Sequence, residues 1–305
     1  MTKNIIEVSH YSQQYGSFKA VDDISFTVEE GSIFAFLGPN GAGKSTTINT
    51  LCTIQDKTKG QLKINGHDVS DEKDKVRTDI GIVFQETTLD NNLTVYENLK
   101  LHCDFYNVPR IEVAERINFA LELVDMVDWK KSNIKGLSGG MKRRVEIARG
   151  LVHFPKVLFL DEPTAGLDAK TRANIWDYIR KLQKQKNITV FLTTHYMEEA
   201  EICDCVAIIN HGKIAAYDTL QNLKQKYSSS TVRIMVNETQ SFQTYLEDKS
   251  IFYQKNEHMF TFQTNDIGQV LEIASYFKPI ITDFEVHKGT LNEVFLTITG
   301  KEERN

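Results

Sequence analysis

The sequence is poor in cysteine and proline and has no long apolar run, and each shortage excludes a class of protein. Its 305 residues include four cysteines and five prolines. The cysteines are scattered along the chain, which argues against a disulfide framework and a zinc site. So few prolines, beside 17 glycines, exclude collagen-like and Pro/Gly-rich disordered sequences. A membrane-spanning helix needs about 18 apolar residues, whereas the longest apolar runs, 33–37 and 157–160, have the length of buried strands.

Basic residues are outnumbered by acidic ones, 36 to 41, which gives a formal net charge of −5. A protein that binds mainly nucleic-acid phosphates is normally basic, and we therefore expect no nucleic-acid partner. The basic residues of 142–149 do not change this expectation, because Glu146 interrupts them and helices commonly expose a charged face. Residues 1–4 lead into a strand-like pattern without an apolar signal segment, which predicts a cytoplasmic chain with reduced cysteines.

Residues 1–226 alternate short apolar runs with longer amphipathic ones, which is the pattern of an α/β domain. The runs 33–37 and 157–160 are nearly all apolar, as expected of parallel strands that are covered on both faces. The predicted strands are 24–28, 33–37, 62–64, 80–84, 157–160, 188–192 and 206–209.

A helical subdomain is expected within this domain, at about residues 88–155. It contains a helical stretch from Thr94 to about Glu122, which is interrupted at Pro109. Thr94 and Glu97 have the spacing of a capping box, the arrangement that begins a helix.

The serines at 228–230 predict a linker over 227–230, and the pattern beyond it predicts a second domain at 231–305. Strand-like and helix-like segments follow the order β-α-β-β-α-β with a closing helix, which indicates a small α+β domain. The strands are expected at 231–236, 252–253, 259–262 and 280–286, and the helices at 241–247, 266–277 and 290–296.

A glycine-rich segment between the apolar run 33–37 and a helical pattern fits the phosphate-binding consensus G-x-x-x-x-G-K-[ST]. Glycines allow successive backbone N–H groups to face one anion, and the helix that follows adds its positive end. Lys44 supplies a charge for the β- and γ-phosphates, and the Ser45 hydroxyl can bind Mg²⁺. The sequence therefore predicts a nucleoside triphosphate site at Gly38, Pro39, Asn40, Gly41, Ala42, Gly43, Lys44, Ser45 and Thr46.

Two carboxylates follow the apolar run 157–160 directly. At the end of a buried parallel strand beside a phosphate loop, Asp161 can help to hold Mg²⁺. Glu162 points to the other side of the strand and can orient or deprotonate the attacking water. A triphosphatase is favoured over a small-molecule kinase, because nothing in the sequence indicates a pocket for a phosphate acceptor.

A second anion-binding segment lies about a hundred residues after the first. Ser138, Gly139 and Gly140 stand at the start of a helical run, where a hydroxyl and two glycines can hold a phosphate. Together with the other motifs, over nearly all of residues 4–220, the segment resembles the signature Leu-Ser-Gly-Gly-Gln of the ATP-binding cassette (ABC) ATPases. The sequence departs from that signature at Met141, where the family most often has glutamine.

This resemblance implies roles for four further residues. Gln85 is similar to the residue that contacts Mg²⁺ and water and senses the transport domain. His195 is similar to the switch histidine that contacts the γ-phosphate, and Asp168 to a residue at the seam between two cassettes. Tyr15 resembles the aromatic residue that stacks on adenine. Without the resemblance, a histidine at a strand end such as His195 is more often structural than catalytic, and a core or surface aromatic is the alternative for Tyr15.

The resemblance also implies partners. Two cassettes of this family pair head to tail, so that Ser138, Gly139 and Gly140 of one chain contact ATP bound to the other. We expect a second ATPase subunit, in a homodimer, and a separate membrane permease that places the chain on the cytoplasmic face of the membrane. ATP and Mg²⁺ are the expected ligands. The segment 290–300 resembles the ending of daunorubicin-resistance-type export ATPases, which favours an exporter.

Two other functions stay open at this point. The cassette motifs do not encode direction, so an importer ATPase is an alternative. A soluble ABC protein that acts on ribosomes or DNA is another, although ribosome-associated members usually carry two cassettes and DNA-repair members carry long coiled-coil or zinc insertions.

Overall fold

The computed structural model describes residues 3–300 and divides the chain into two compact units between Asp218 and Thr219. The sequence predicted a linker at 227–230 instead. In the structure, Leu220–Tyr227 form a helix that the Thr219 hydroxyl caps, and the next strand already begins at Ser230. The serines therefore connect a helix to a strand within the second unit.

Among its described residues, 3–218, the first unit contains ten strands and seven α-helices. Its strands are β1 (Asn4–Tyr15), β2 (Phe18–Glu29), β3 (Ile33–Leu37), β4 (Lys59–Ile64), β5 (His67–Asp68), β6 (Ile80–Val83), β7 (Val157–Asp161), β8 (Thr189–Thr194), β9 (Cys205–Asn210) and β10 (Lys213–Thr219). Its helices are α1 (Lys44–Leu51), α2 (Lys73–Asp79), α3 (Val95–Phe105), α4 (Val113–Leu123), α5 (Gly139–Leu151), α6 (Ala169–Lys186) and α7 (Met197–Ala200). Short 3-10 turns lie at Val127–Trp129 and Ile134–Gly136.

Two sheets pack face to face in this unit. One is antiparallel, in the order β2-β1-β4-β5, and the other has the order β10-β9-β3-β8-β7-β6. Phe26 of the first sheet stacks on Phe34 of the second with ring centroids 5.5 Å apart, and Phe191 lies beside both. Every residue of β3 and β8 is buried, because these strands are covered on both faces.

The strands β3, β6, β7, β8 and β9 run parallel through their pairings. The residues that follow parallel strands meet at one edge of a sheet, where α/β proteins bind ligands. Four residues predicted to act on the nucleotide occupy such positions: Gly38, Gln85, Glu162 and His195.

Helices α3 to α5 form the helical region between β6 and β7. The predicted capping box is confirmed in both halves: the Thr94 hydroxyl accepts from the Glu97 amide at 3.2 Å, and the Thr94 amide donates to the Glu97 carboxylate at 2.8 Å. The predicted interruption at Pro109 is also confirmed, because α3 ends before it and α4 begins after it.

The second unit contains α8 (Leu220–Tyr227), β11 (Ser230–Val236), α9 (Thr239–Asp248), β12 (Tyr253–Asn256), β13 (Met259–Thr264), α10 (Ile267–Tyr276), β14 (Ile281–His287) and α11 (Leu291–Thr299). Its four antiparallel strands have the order β12-β13-β11-β14. Phe242, Phe260 and Phe277 lie in its own core. This is the predicted β-α-β-β-α-β order with a closing helix, to which the structure adds α8.

Within residues 3–300, no helix is at once long enough and apolar enough to span a membrane.

Candidate functional site

The glycine-rich segment forms the turn between β3 and α1, and two of its glycines cannot be replaced without displacing the main chain. A Cβ atom on Gly38 would lie 2.3 Å from the Ile209 carbonyl oxygen, and one on Gly43 would lie 2.7 Å from the Ala20 carbonyl oxygen. Gly43 also has a φ of 109° and caps α1 without a side-chain hydrogen bond. The first N–H groups of α1 therefore remain available to an anion.

Lys44 is buried at the start of α1. Its ammonium donates hydrogen bonds to the carbonyl oxygens of Gly38, at 2.7 Å, and Pro39, at 3.0 Å. Burial lowers the pKa of the ammonium, whereas the negative charges of Glu162 and Asp161 raise it. The charge thus lies inside the glycine-rich turn and near both carboxylates, as binding of the β- and γ-phosphates requires.

Glu162 stands at the centre of a polar cluster built from three strand ends. Its carboxylate accepts a hydrogen bond from Gln85 Nε2 at 2.9 Å, and its second oxygen lies 3.3 Å from His195 Nδ1. The side chain of Glu162 is 11% exposed and that of His195 is 46% exposed. The carboxylate is therefore held on two sides and can accept a proton from a water molecule that enters beside it.

Asp161 and Glu162 are oriented by β8. Thr193 donates its hydroxyl hydrogen to the Asp161 carboxylate at 2.5 Å, and the Thr193 carbonyl accepts from the Glu162 amide at 3.1 Å. Glu162 has a φ of 47°, a left-handed conformation that is rare for a residue with a side chain. The Asp161 carboxylate is thus bound to Thr193, whereas the Glu162 carboxylate contacts Gln85 and His195.

The signature segment is the N-terminus of α5. The Ser138 hydroxyl accepts from the Met141 amide at 3.3 Å and so caps the helix. A Cβ atom on Gly140 would lie 2.6 Å from Thr171 Cγ2, whereas one on Gly139 would meet no atom within 4 Å. Gly140 therefore allows α5 to pack closely against α6, whereas Gly139 leaves the N-terminus of α5 open.

Asp168 has a local partner in the structure. Its carboxylate caps α6 by accepting from the Thr171 amide at 2.9 Å and the Thr171 hydroxyl at 2.6 Å. These hydrogen bonds lower the pKa of Asp168. The residue thus fixes the start of α6 next to the helix that carries Gly140.

Tyr15 ends β1 with about half of its surface exposed. Its hydroxyl donates to Gln55 Oε1 at 2.7 Å, and Gln55 Nε2 donates to the Thr46 carbonyl oxygen at 3.0 Å. The ring is thereby tied, through Gln55, to the helix that follows the glycine-rich turn.

The structure brings together five of the predicted site residues: Lys44, Asp161, Glu162, Gln85 and His195. Within residues 3–300 Ser138 has no hydrogen bond to the glycine-rich turn; its hydroxyl accepts from the Met141 amide and its carbonyl oxygen from the Lys142 amide. A single chain thus presents the two anion-binding segments separately.

The sequence interpretation missed four residues that orient this site: Gln55, Thr193, Arg143 and Glu146. Gln55 and Thr193 act through one or two side-chain hydrogen bonds and follow no motif. Arg143 and Glu146 were interpreted as part of an exposed charged face, but both are buried. The apolar neighbours Val145, Ile147 and Ala148 were the available signal that this helix is covered.

No group of three or more His, Cys, Asp or Glu side chains in the described residues could hold a metal ion by itself. The predicted magnesium ligands are of other kinds: the Ser45 hydroxyl, the Gln85 amide oxygen and the Asp161 carboxylate. Because Gln85 uses its Nε2 for Glu162, its oxygen is left for a cation. This set suits Mg²⁺, which commonly takes one or two carboxylates together with phosphate oxygens.

Comparison with protein families gives a match over the core of the first unit. The sequence model described as "ABC transporter" matches residues 21–165. The daunorubicin/doxorubicin resistance ATP-binding protein DrrA of Streptomyces peucetius is 34% identical over 308 residues, 97% of this chain and 92% of that protein. The sulfate/thiosulfate import ATP-binding protein CysA of Synechococcus elongatus is 39% identical over 210 residues, 68% of this chain and 61% of that protein.

Among solved structures, a dimeric bacterial ABC transporter cassette aligns with a TM-score of 0.64 and 28% identity, over 70% of this chain and 98% of that one. The predicted fold, an α/β cassette with mixed sheets, an antiparallel β edge and a helical insertion, is confirmed, as is the resemblance of the whole chain to drug-resistance ATP-binding proteins.

Proposed function

This chain belongs to the ABC transporter family, as an ATP-binding subunit with ATPase activity coupled to transport, and we propose that it drives an exporter. The observation that carries this proposal is similarity to a resistance protein over 97% of the chain, including the second unit. The importer relative aligns with only 68% of the chain.

ATP binding uses the glycine-rich turn and Tyr15. The N–H groups of the turn and the Lys44 ammonium hold the β- and γ-phosphates. The Tyr15 ring stacks on the adenine, a contact that any purine could make. Mg²⁺ would be held by Ser45, Gln85 and Asp161, where it would neutralise phosphate charge.

Hydrolysis depends on the cluster around Glu162. A water oxygen attacks the γ-phosphorus in line with the bond to the β–γ bridging oxygen, which breaks and leaves ADP. Glu162 accepts the proton of that water. His195 holds the γ-phosphate, and Lys44 stabilises the charge that develops on the oxygens. Gln85 keeps the Glu162 carboxylate directed at the water through its 2.9 Å hydrogen bond.

We propose that the functional form is a homodimer in which each signature segment completes the other chain's site. The separation of Ser138 from the chain's own glycine-rich turn supports this arrangement. Met141 cannot donate a side-chain hydrogen bond, but its main-chain amide makes the helix cap, so the open end at Gly139 is retained. Asp168, at the start of α6, would lie at the dimer seam.

The second partner is an integral-membrane permease, which would hold the chain at the cytoplasmic face. Helix α3 has both buried and exposed apolar side chains: Leu99 is fully buried, whereas Leu101 and Phe105 are exposed. Together with exposed Ile111, these side chains offer an apolar surface to a cytoplasmic helix of the permease.

Transport direction is tested in host cells that carry the permease together with the chain or its Lys44→Ala variant. An exporter lowers the cellular accumulation of fluorescent daunorubicin, and Lys44→Ala should abolish that effect. If daunorubicin accumulation is the same with both chains and uptake of labelled sulfate is lost with Lys44→Ala, the result would support the importer. Co-purification with ribosomal RNA or DNA in place of a membrane protein would support the soluble alternative.

A further inference from the structure

Arg143 and Glu146 form an ion pair one turn apart on α5, with Arg143 Nη1 3.2 Å from Glu146 Oε2. The pair is almost completely buried, with side-chain exposures of 7% and 3%. Burying two charges is expensive unless other polar groups share them. The remaining partners of these two side chains therefore indicate what the pair is for.

The Arg143 guanidinium donates to main-chain carbonyl oxygens at two places in the nucleotide site. At the end of β7 its acceptors are Asp161 and Glu162, both at 3.1 Å, and Pro163 at 2.5 Å. At the end of β6 its acceptor is Phe84, the residue before Gln85. The five donors of a guanidinium lie in one rigid plane, so these two main-chain segments are held in a fixed relation.

Glu146 binds the same region from the other side of Gln85. Its Oε1 accepts a hydrogen bond from the Thr88 amide at 2.8 Å. The main chain is thus fixed before Gln85, through the Phe84 carbonyl, and after it, through the Thr88 amide.

We propose that Arg143 and Glu146 are positioning residues for ATP hydrolysis, which tie Gln85 and Glu162 to the helix that begins at Ser138. The inference rests on the roles proposed for Gln85, Glu162 and the signature segment. The inference adds a connection within one chain. When the N-terminus of α5 contacts the partner's ATP, α5 shifts, and this shift moves the main chain that carries Gln85 and Glu162. Each chain thereby senses the nucleotide of the other site.

A variant that lacks both the Arg143 and the Glu146 charge distinguishes a role in positioning catalytic groups from a role in stabilising the fold. Arg143→Met/Glu146→Leu leaves no unpaired buried charge, and such replacements are often tolerated by the fold. Neither residue belongs to the glycine-rich turn or contacts Tyr15, so ATP affinity and KM should stay close to those of the parent. The kcat should fall on the order of tenfold to a hundredfold, because small displacements of catalytic groups have effects of that size. The Hill coefficient for ATP should fall towards one.

Arg144→Met is the matched control. Arg144 lies on the same helix and also donates to carbonyl oxygens, those of Val124 at 3.3 Å and Asp125 at 3.5 Å, but within residues 3–300 no hydrogen bond joins it to the nucleotide site. Its kcat, KM and Hill coefficient should equal those of the parent.

A folded double variant with parental kcat and Hill coefficient would overturn the proposal. If the double variant does not fold, Glu146→Gln gives the same test, because it keeps an oxygen for the Thr88 amide and removes only the negative charge that holds Arg143. Unchanged kcat in Glu146→Gln would likewise overturn the proposal. Undiminished hydrolysis in Lys44→Ala would instead show that the proposed ATP site is wrong, whatever Arg143 does.

Discussion

Gln85 and Glu162 are joined by a hydrogen bond of 2.9 Å from the Gln85 amide to the Glu162 carboxylate. Gln85 is exposed and stands at the entrance to the helical region, whereas Glu162 directly follows the buried strand β7. The residue expected to sense the permease and the residue proposed to deprotonate water are therefore in direct contact. Displacement of Gln85 would remove one of the two side chains that hold the Glu162 carboxylate and leave the contact with His195.

Glu162→Gln should bind ATP without hydrolysing it. The amide cannot take the proton of water, and loss of a general base commonly lowers the rate by about 10²–10⁴. Because ATP then persists, the variant should change from monomer to dimer when Mg-ATP is added. Light scattering measures this mass, and phosphate release measures the remaining activity.

Lys44→Ala is the control for that experiment, because it removes the phosphate-binding charge and should stay monomeric with or without Mg-ATP. A Glu162→Gln chain that binds ATP and remains monomeric would contradict homodimer formation. It would indicate a different second ATPase subunit or a requirement for the permease.

Tyr15 should contribute to ATP affinity through its ring and little through its hydroxyl. Tyr15→Ala removes a base stack, worth about 1–3 kcal/mol, so the Kd for ATP should rise roughly tenfold. Tyr15→Phe keeps the ring and loses only the bond to Gln55, and it should bind almost as the parent does. Calorimetric titration with ATP compares the three proteins. Equal affinities would mean that the adenine lies elsewhere.

The sequence predicted the parts of the site that are local along the chain. The glycines around Lys44 belong to one turn of nine consecutive residues. Because the turn is continuous in the sequence, the spacing of its glycines is enough to predict the phosphate-binding turn. Asp161 and Glu162 were found because they follow an apolar run. Gln85 and His195 needed the family resemblance, since a glutamine or histidine after a strand has no distinctive spacing.

Other features depend on contacts between distant segments, and the sequence could not show them. Arg143 was interpreted as exposed because its acceptors are main-chain carbonyl oxygens. Every residue has such an oxygen, so the sequence pattern does not show which ones Arg143 binds. Strand β1 was incompletely predicted because register shifts interrupt its alternation. Helix α8 was missed because it is short and directly precedes the serines that suggested a linker.

The buried His153 and the partly buried His102 should make the first unit less stable as the pH falls from 6.5 to 5. Burial lowers the pKa of His153 from 6.5 to about 4 and that of His102 to about 3. His153 is stacked on Tyr106, with ring centroids 3.7 Å apart, and its Nε2 lies 2.8 Å from the Ile80 carbonyl oxygen. In this pH range the unfolded chain binds protons that the folded chain does not. Each histidine then reduces the free energy of unfolding by up to about 1.4 kcal/mol per pH unit.

His153→Gln should weaken this pH dependence while still donating to Ile80. The thermal midpoint, measured between pH 5 and 6.5, should fall less steeply than in the parent, and a further His102→Gln change should flatten it again. Glu72 does not interfere, because its pKa, lowered to about 2 from 4.5 by its bond to Lys75, affects stability only at more acid pH. A slope in His153→Gln equal to that of the parent would contradict protonation of this residue on unfolding.

The two signature glycines should differ in their tolerance of a methyl group. In Gly140→Ala the new Cβ would lie 2.6 Å from Thr171 Cγ2, so either α5 moves or Thr171 rotates and gives up its 2.6 Å hydrogen bond to Asp168. Overpacking of this kind typically costs about 1–3 kcal/mol of unfolding free energy. Gly139→Ala meets no neighbour and should be close to the parent in stability. Thr171→Ser removes the obstructing methyl group but keeps the hydroxyl, so Gly140→Ala/Thr171→Ser should recover most of the loss in urea unfolding. If the double variant were no more stable than Gly140→Ala, the clash with Thr171 would not be the reason for glycine at 140, and the close approach of a phosphate would remain as its explanation.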